Sequence, residues 1–232
     1  MSGDQIASRT GEESGVVAWD ARRVPISTRF DDLYFSLDDG LAETRHTFLG
    51  GNDLPARFAP GFRIAELGFG TGLNLIATLL AFEAAGAPGP LAYTSFEAYP
   101  MAVNDMERAL AAFPEARGAA DGLLAAWSRG ERRFALGAVT VEVIEGDARA
   151  TLPGWGGLAD AWYLDGFSPA KNPELWEAGL MREVADHTVP DGTFATYTAA
   201  GFVRRGLEEA GFAVERRPGF GRKRHMSRGV KR

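Results

Sequence analysis

The sequence of 232 residues contains no cysteine. This absence excludes disulfide bonds, thiolate metal sites, iron–sulfur ligation and cysteine nucleophiles. The three histidines, His46, His187 and His225, lie far apart without the HxxxH spacing of a helical zinc site, so we expect no metal. No apolar run approaches the roughly 18 residues that a membrane span requires, and the polar N-terminus is unlike a signal peptide. We therefore expect a cytoplasmic protein that binds no membrane.

Charge is unevenly distributed along the chain. Hydrophobic residues make up 45% and charged residues 24%, which is typical of a globular protein. The formal net charge is −6, but residues 203–232 contain ten Lys or Arg against three acids and carry +7, while the remaining 202 residues carry −13. This asymmetry predicts a basic surface for a polyanion on an acidic body. A basic tail that only aids solubility is the alternative.

Apolar runs alternate with segments of helical periodicity from Phe62 onward. Strands are predicted at 62–67, 91–97, 139–145, 161–165, 193–198 and 212–217, and helices at 72–85, 101–113, 119–127, 174–187 and 201–210. Residues 224–230 are predicted to return as an antiparallel edge strand. Such alternation indicates an α/β fold, a Rossmann-like and mostly parallel sheet with helices on both faces.

The chain divides into three predicted parts. Residues 1–15 are polar and are expected to be disordered. Residues 16–61 form an N-terminal extension that is expected to pack on the core and cover its ligand site. Residues 62–232 form the core with the basic C-terminal segment. Ligands of such sheets bind beyond the carboxyl ends of the strands, so the residues that follow each strand are the candidates for function.

A glycine-rich turn follows the first core strand, with the sequence Glu66-Leu67-Gly68-Phe69-Gly70-Thr71-Gly72. Its glycines permit a sharp turn and close approach to a ligand at the N-terminus of the next helix. A dinucleotide fingerprint would require glycine where Leu73 stands. The turn instead resembles motif I of class I S-adenosylmethionine-dependent methyltransferases. A purely structural turn that opens a helix is the alternative.

Acidic residues follow the next two strands. Glu97 ends the second core strand, where a carboxylate can accept both hydroxyls of a ribose. Asp147 follows the third, where methyltransferases of this class place a residue against the adenine amino group. Each acid alone could be an exposed loop carboxylate, but their order along the sheet favours a nucleoside site.

The fourth core strand ends in Asp165-Gly166-Phe167-Ser168-Pro169, which looks like the motif that amino-group methyltransferases place beside the transferred methyl. Methyl transfer to nitrogen requires a neutral amine with its lone pair aimed at the methyl group. Asp165 could accept the N–H of that amine and stabilise the developing cation, with or without removing its proton. Phe167 would form a wall of the pocket, although a core aromatic is equally consistent with the pattern.

Longer motifs closely resemble the methyltransferase domain of the MnmC/MnmD family between about Pro25 and Val230. They are FDDLYFS at 30–36, DGLAETR at 39–45, FLGGN at 48–52, GFGTGLN at 68–74, SFE at 95–97, LDGFSPAKNP at 164–173, AGFVRRGL at 200–207 and GFGRKR at 219–224. The resemblance implies S-adenosyl-L-methionine as cofactor. It also implies a tRNA substrate, in which 5-aminomethyl-2-thiouridine at the wobble position becomes 5-methylaminomethyl-2-thiouridine.

The resemblance implies roles for individual residues. Asp165 is the catalytic residue, Glu97 binds the ribose and Asp147 lies near the adenine. The residues expected around the methionine end of the cofactor are Glu66, Gly68, Phe69, Gly70, Thr71, Gly72 and Asn74, with Tyr34, Phe35 and Ser36 as a cap. The residues expected to contact the tRNA anticodon stem-loop are Phe167, Lys171, Arg204, Arg205, Arg222, Lys223 and Arg224. For each basic residue, an ordinary solvated surface charge is the alternative.

Several other functions are compatible with parts of the sequence. A methyltransferase could act on another amine, in a small molecule or a protein. A nicotinamide-dependent oxidoreductase is disfavoured by Leu73 and by the acid at Glu66, and a non-catalytic RNA-binding relic would have no need of the Glu66, Glu97 and Asp147 set. Bifunctional family members carry a flavin-dependent oxidoreductase, for which this chain has neither the length nor a second glycine-rich site. This chain is therefore expected to be a methyltransferase only, either as a stand-alone protein or as an excised domain.

Overall fold

The computed structural model describes residues 17–36 and 39–232, and its strands and helices follow one another in the expected alternation. The strands are β1 Val17–Trp19, β2 Pro25–Ser27, β3 Asp32–Leu33, β4 Arg63–Leu67, β5 Leu91–Glu97, β6 Arg133–Leu136, β7 Val139–Glu145, β8 Ala159–Leu164, β9 Thr188–Thr196, β10 Phe212–Pro218 and β11 His225–Lys231. The α-helices are α1 Gly40–Thr44, α2 Leu73–Ala84, α3 Val103–Leu110, α4 Arg117–Ser128, α5 Ala148–Thr151, α6 Ala178–Asp186 and α7 Gly201–Glu209. A π-helical turn, Arg45–Leu49, extends α1.

The main sheet of the described residues has eight strands in the order β10-β11-β9-β8-β4-β5-β7-β6. The five central strands, β9, β8, β4, β5 and β7, are parallel, and the outer three are antiparallel. The chain proceeds from β4 to β5 on one side and later returns to β8 on the other. This reversal opens a crevice at the carboxyl ends of β4, β5 and β8, where open α/β sheets bind ligands.

Helices cover both faces of this sheet because its central strands are apolar on both sides. Ile64 of β4 packs in a cluster with Leu75 and Ile76 of α2 and Leu123 of α4. The opposite face places Ala65 and Leu67 of β4 against side chains of α6 and α7. Successive residues of a strand point to opposite faces, so Glu66 shares the α2 face with Ile64.

The predicted parallel core is confirmed, and the antiparallel strands show three differences. Strand β11 does not form the edge: it inserts between β9 and β10, pairing with both, so that β10 is the outer strand. Strand β6 was not predicted, and it forms the opposite edge by pairing with β7. A small sheet of β1, β2 and β3 precedes the core. The prediction of disorder over residues 1–15 concerns residues outside the described ranges.

Candidate active site

A cleft of about 1170 Å³ lies at the carboxyl ends of the parallel strands. Its walls come from the turn after β4 and from the loops that follow β5, β7 and β8. The segment from Ser27 to Ser36, helix α1 and the loop between β10 and β11 also contribute to the lining. Among the predicted site residues, the cleft is lined by Tyr34, Phe35, Ser36, Gly68, Phe69, Gly70, Thr71, Asn74, Glu97, Asp147, Asp165, Phe167, Lys171, Arg222 and Lys223.

The glycine turn brings two backbone segments into contact at the base of this cleft. Gly68 has φ +87, and a Cβ built there would lie 2.1 Å from the carbonyl oxygen of Asp165. Only glycine therefore allows the loop after β4 to lie against the loop after β8. Gly72 also has a positive φ, but a Cβ there would meet Leu123 of α4 instead. Gly72 thus packs against the protein and is not part of the cleft wall.

Glu97 is held rigidly at the end of β5. Its Oε2 accepts a hydrogen bond from the backbone N–H of Gly70 at 2.9 Å, and its Oε1 accepts one from Tyr99 at 2.7 Å. The residue is only 8% exposed, and burial raises the pKa of its carboxyl against the opposing effect of these N–H donors. Both oxygens retain a lone pair, so the carboxylate can accept further hydrogen bonds from hydroxyl groups.

Asp147 follows β7 and caps α5, where its Oδ1 accepts the backbone N–H of Arg149 at 2.9 Å. The Arg149 guanidinium binds the same carboxylate, with Nη2 2.6 Å from Oδ2. The hydrogen bond from this guanidinium lowers the pKa of the Asp147 carboxyl, so the group is ionised at neutral pH. The pair lies at the rim of the cleft and faces solvent.

Asp165 follows β8 and contacts the side chain of Asn74, which belongs to the first turn of α2. The amide nitrogen of Asn74 donates to Asp165 Oδ2 at 2.7 Å and to Glu66 Oε1 at 2.8 Å. Burial raises the pKa of Asp165 to about 7, against the lowering effects of Asn74 and Lys223. This places its protonation change close to neutral pH, which suits a group that exchanges protons with a substrate.

Glu66 lies behind Asn74 and is fully buried. Burial raises the pKa of its carboxyl to about 8, so it is mainly protonated at neutral pH. This placement differs from the predicted contact with the methionine end of the cofactor, because the alternation of β4 directs Glu66 beneath α2. Asn74 lines the cleft, and its amide is engaged within the protein: its nitrogen donates to the carboxyls of Glu66 and Asp165, and its Oδ1 accepts from Thr44.

Aromatic side chains form one wall of the cleft beside Asp165. Phe167 stacks on Phe30 with centroids 4.8 Å apart and meets the edge of Tyr34 at 5.1 Å. Phe30 also contacts Tyr99 edge to face at 5.8 Å. Phe30 and Tyr99 received no role in the sequence analysis, because nothing in their spacing distinguishes a cleft aromatic from a core one. The wall joins the N-terminal extension to the loop after β8.

Two further residues of the cleft, Glu43 and Tyr197, were also not predicted. Lys223 Nζ lies 2.6 Å from Glu43 Oε1 and 4.3 Å from the centroid of the Tyr197 ring. The Tyr197 hydroxyl donates to the carbonyl oxygen of Gly166 at 2.7 Å. Lys223 was expected on the RNA-binding surface, but its ammonium group already engages a buried carboxylate within the cleft.

The six predicted tRNA-contacting cations fall into two sets. Lys171, Arg222 and Lys223 line the cleft, and Lys171 also forms an ion pair with Asp31 at 3.3 Å. Arg204, Arg205 and Arg224 lie outside the cleft lining, the first two on α7. The cleft therefore has a basic side near the Arg222–Lys223 loop. Neither a cluster of three or more metal-binding side chains nor a helix able to cross a membrane occurs in the described residues.

Residues 114–232 match a family model described as S-adenosyl-L-methionine-dependent methyltransferase, which covers half of the chain. The chain belongs to this family, and its cofactor is S-adenosyl-L-methionine. The mostly parallel sheet with its flanking helices is accordingly the class I methyltransferase fold.

Comparison with individual proteins confirms the MnmC/MnmD resemblance. The relatives named tRNA 5-methylaminomethyl-2-thiouridine biosynthesis bifunctional protein MnmC include those from Stutzerimonas stutzeri and Aeromonas hydrophila. The one from Stutzerimonas stutzeri is 46% identical over 222 residues, 91% of this chain and 34% of the relative. The one from Aeromonas hydrophila is 44% identical over 239 residues, 96% of this chain and 36% of the relative. The crystal structure of MNMC2 from Aquifex aeolicus superposes with a TM-score of 0.76 at 25% identity, covering 94% of this chain and 71% of that one. The chain spans about a third of the length of the two bifunctional relatives.

Proposed function

We propose that this chain methylates the aminomethyl nitrogen of 5-aminomethyl-2-thiouridine at the wobble position of tRNA, giving 5-methylaminomethyl-2-thiouridine. The observation that carries the proposal is the position of Asp165. Its partly exposed carboxylate lies in a cleft that also contains the glycine turn and Glu97, where a methyl donor and an amine can meet. The name of the bifunctional relatives, which are 44–46% identical to this chain, supports the choice of substrate.

The cleft suits S-adenosyl-L-methionine in size and in chemistry. Its volume of about 1170 Å³ is ample for a nucleoside joined to an amino acid. We assign Glu97 to the ribose hydroxyls and Asp147 to the adenine side. The N-terminus of α2 and the turn formed by Gly68, Phe69, Gly70 and Thr71 are assigned to the methionine end, where backbone N–H groups favour a carboxylate. Tyr34 and Ser36 would cover the cofactor from the N-terminal extension.

The cofactor supplies an electrophilic methyl group carried on a sulfonium. We assign to Asp165 the task of accepting a proton from the substrate ammonium group, which frees the nitrogen lone pair for attack. As the new C–N bond forms and the C–S bond breaks, the nitrogen becomes cationic, and the electron pair of the broken bond remains on sulfur. Asp165 would release its proton to solvent before this step, so that its carboxylate is charged when it stabilises that cation. Asn74 fixes the direction of the Asp165 carboxylate by binding its Oδ2.

The aromatic wall and the cations supply the features that an RNA substrate requires. Base-modifying enzymes take the target base out of its stack and hold it against aromatic side chains. Phe30, Tyr34 and Phe167 provide such a surface beside Asp165. Lys171 and Arg222 line the same cleft and are assigned to the phosphates of the anticodon stem-loop, with Arg204, Arg205 and Arg224 extending the basic surface.

The oxidoreductase step of the bifunctional relatives is not assigned to this chain. We propose that a flavin-dependent oxidoreductase, in another polypeptide or in a segment outside this sequence, supplies the 5-aminomethyl group. The reaction would then take place in the cytoplasm, where the tRNA substrate is found. This assignment separates the two steps, so methyl transfer by this chain should need no flavin.

The test is methyl transfer to tRNA that carries 5-aminomethyl-2-thiouridine, followed by nucleoside mass spectrometry. A mass increase of one methyl at that nucleoside is the expected result, with no reaction on tRNA that has unmodified uridine at the wobble position. Asp165→Asn is the matched control, because it preserves shape and removes the charge. Failure to methylate this tRNA, combined with methylation of a free amine or a protein, would identify a different acceptor.

A further inference from the structure

We propose that Asn74 is a positioning residue for Asp165: its side-chain amide orients the Asp165 carboxylate, and Thr44 fixes the direction in which that amide faces. The inference deepens the proposed function and rests on the role given there to Asp165. In this proposal Asn74 affects the reaction by orienting Asp165, and it does not bind the cofactor directly.

The two polar atoms of the Asn74 side-chain amide, Nδ2 and Oδ1, bind three different parts of the fold. The nitrogen lies 2.8 Å from Glu66 Oε1 at the end of β4 and 2.7 Å from Asp165 Oδ2 after β8. Since an amide nitrogen has two N–H groups, these two bonds use both. The oxygen accepts the hydroxyl hydrogen of Thr44, on α1, at 2.8 Å. One side chain of α2 thus joins β4, the loop after β8 and α1.

This pattern determines the orientation of the amide. A flipped Asn74 would direct its carbonyl oxygen at two carboxyl groups and lose both donated bonds. It would also direct its N–H groups at Thr44, whose hydroxyl donates in the observed arrangement. The observed orientation is therefore strongly favoured, and Asp165 Oδ2 is held while the other oxygen of that carboxylate remains available to a substrate.

Asn74 also bridges two carboxyls, the fully buried Glu66 and the partly exposed Asp165, that cannot easily ionise together. Glu66 is fully buried, its Oε2 has no hydrogen-bond partner within the described part of the chain, and its pKa is raised to about 8. The pKa of Asp165 is about 7, and Asn74 lowers it by donating to the ionised form. At neutral pH Glu66 is mainly protonated, so the negative charge of the pair lies mainly on Asp165, which is the side that faces the cleft.

Other charged and titratable groups around Asp165 affect the same equilibrium. Lys223, from the loop between β10 and β11, lowers the pKa of Asp165, and Glu43 of α1 raises it. Tyr93 of β5 and Tyr197 after β9 both interact with the Asp165 charge, and burial keeps both phenols protonated because it raises their pKa values. Among these groups, Asn74 is the one that donates a hydrogen bond directly to the carboxylate.

The direct test is to titrate Asp165 in the cofactor-free protein by carbon-13 NMR of its carboxyl carbon, assigned by its loss in Asp165→Asn. Asn74→Ala removes a hydrogen bond to the charged form, so the midpoint should rise by about 1–2 pH units. Thr44→Val keeps the Asn74 amide but removes the hydrogen bond that sets its orientation. The midpoint of Asp165 should therefore rise by less than in Asn74→Ala. Thr78→Val is the matched control: its hydroxyl donates to the backbone oxygen of Asn74, not to the amide, and the midpoint should stay unchanged.

Kinetics provide the second measurement. In single-turnover assays with saturating tRNA, the acid limb of the pH–rate profile of Asn74→Ala should shift to higher pH by the same amount, about 1–2 units. The rate of the variant should therefore partly recover at high pH. The dissociation constant of S-adenosyl-L-methionine should change by less than about threefold. Loss of a charge-assisted hydrogen bond to the cofactor would change it by about 10–150-fold.

Several results would overturn the role of Asn74. One is an Asp165 midpoint that does not shift in Asn74→Ala. Another is a loss of rate in this variant that is equal at every pH, and a third is a large loss of cofactor affinity with an unshifted pH–rate profile. If Asn74→Ala does not fold, the comparison of Thr44→Val with Thr78→Val decides, and equal midpoints in the two would refute the proposal. A shifted midpoint in a protein that never methylates the tRNA would instead contradict the proposed function and leave the role of Asn74 standing.

Discussion

Lys223 and Glu43, which are 180 positions apart in the sequence, form an ion pair of 2.6 Å inside the cleft. Glu43 belongs to α1 and is 8% exposed, whereas Lys223 comes from the loop between β10 and β11. The pair therefore links the N-terminal extension to the C-terminal hairpin on the side of the cleft where Asp165 lies. Both groups influence the ionisation of Asp165, in opposite directions.

The first prediction concerns Lys223→Met, which removes an ammonium group that lowers the pKa of Asp165. The pKa rises in the variant, and Glu43, left unpaired, raises it further. Because the proposed reaction uses ionised Asp165, the acid limb of the pH–rate profile should move to higher pH, by roughly 0.5–1 unit for a partly screened charge. Single-turnover rates from pH 5.5 to 9 measure this shift.

Arg224→Met is the matched control, because it removes a neighbouring positive charge outside the cleft lining. Its profile should keep the wild-type midpoint. Equal shifts in both variants would mean that net charge acts at long range and that the Lys223–Glu43 pair has no specific effect on Asp165.

The second prediction concerns Glu97→Gln, which should weaken the binding of S-adenosyl-L-methionine. The carboxylate is proposed to accept the ribose hydroxyls, and hydrogen bonds to a charged group contribute roughly 1.5–3 kcal/mol, or about 10–150-fold in affinity. Isothermal titration calorimetry measures the dissociation constant. Glu142→Gln is the control, since Glu142 pairs with Arg133 on the β6–β7 edge. An unchanged dissociation constant in Glu97→Gln would contradict the proposal that Glu97 binds the ribose hydroxyls.

The third prediction separates chemistry from binding at Asp165. Asp165→Asn has the same shape but lacks the charge that accepts a proton and stabilises the developing cation. The single-turnover rate should fall by about 100–1000-fold, as for other preorganised electrostatic contacts, while tRNA and cofactor affinities stay within a few-fold. A rate within tenfold of wild type would move the catalytic role to another side chain.

Much of this site could be predicted from the sequence because its parts depend on local patterns. The glycine turn, Glu97, Asp147 and Asp165 each follow a buried strand, and parallel strands bring their carboxyl ends together. The alternation of side chains along β4 could also have been read from the sequence. It places Glu66 on the same face as Ile64, which α2 covers, and therefore below the cleft. The contact between Asn74 and Asp165 lies beyond such rules, since it depends on how α2 packs over β4 and β8.

The remaining features depend on long-range contacts without a periodic signal. Glu43 and Lys223 meet because β11 inserts between β9 and β10, whereas the sequence predicted an outer edge strand. The sequence analysis assigned Lys223 to tRNA or to an ordinary surface charge and gave Glu43 no role. Phe30 joins the aromatic wall only because β2 and β3 direct the extension over the cleft, and strands of two or three residues leave no recognisable alternation.

The fourth prediction compares two pairs of cations in tRNA binding. Lys171 and Arg222 line the cleft, whereas Arg204 and Arg205 lie on α7 outside it. Replacing Lys171 and Arg222 with Gln should reduce the log–log salt slope of tRNA binding by about 0.7–0.9 per lost phosphate contact. The same replacement of Arg204 and Arg205 should reduce it less. Filter binding or fluorescence anisotropy from 50 to 300 mM salt measures both slopes. An equal reduction of the slope by the two pairs would mean that the RNA-binding surface includes α7.

The last prediction tests the close approach of the loops after β4 and β8. Gly68 and Gly61 have similar positive φ values, +87 and +76, but their surroundings differ. A Cβ at Gly61 meets nothing within 4 Å, while one at Gly68 would lie 2.1 Å from the carbonyl oxygen of Asp165. Gly61→Ala should therefore lower the free energy of unfolding by about 1–2 kcal/mol, from backbone conformation alone.

Gly68→Ala adds a steric clash to the same backbone strain, and the total loss should reach about 2–5 kcal/mol. Urea denaturation measures both values, and equal m-values ensure that the same amount of surface is exposed in each case. Because the clash lies at the backbone of Asp165, the Gly68 variant should also lose methyl-transfer rate, whereas Gly61→Ala should keep it. Equal losses of stability in the two variants would mean that the loops can separate without penalty, and that Gly68 serves only the turn.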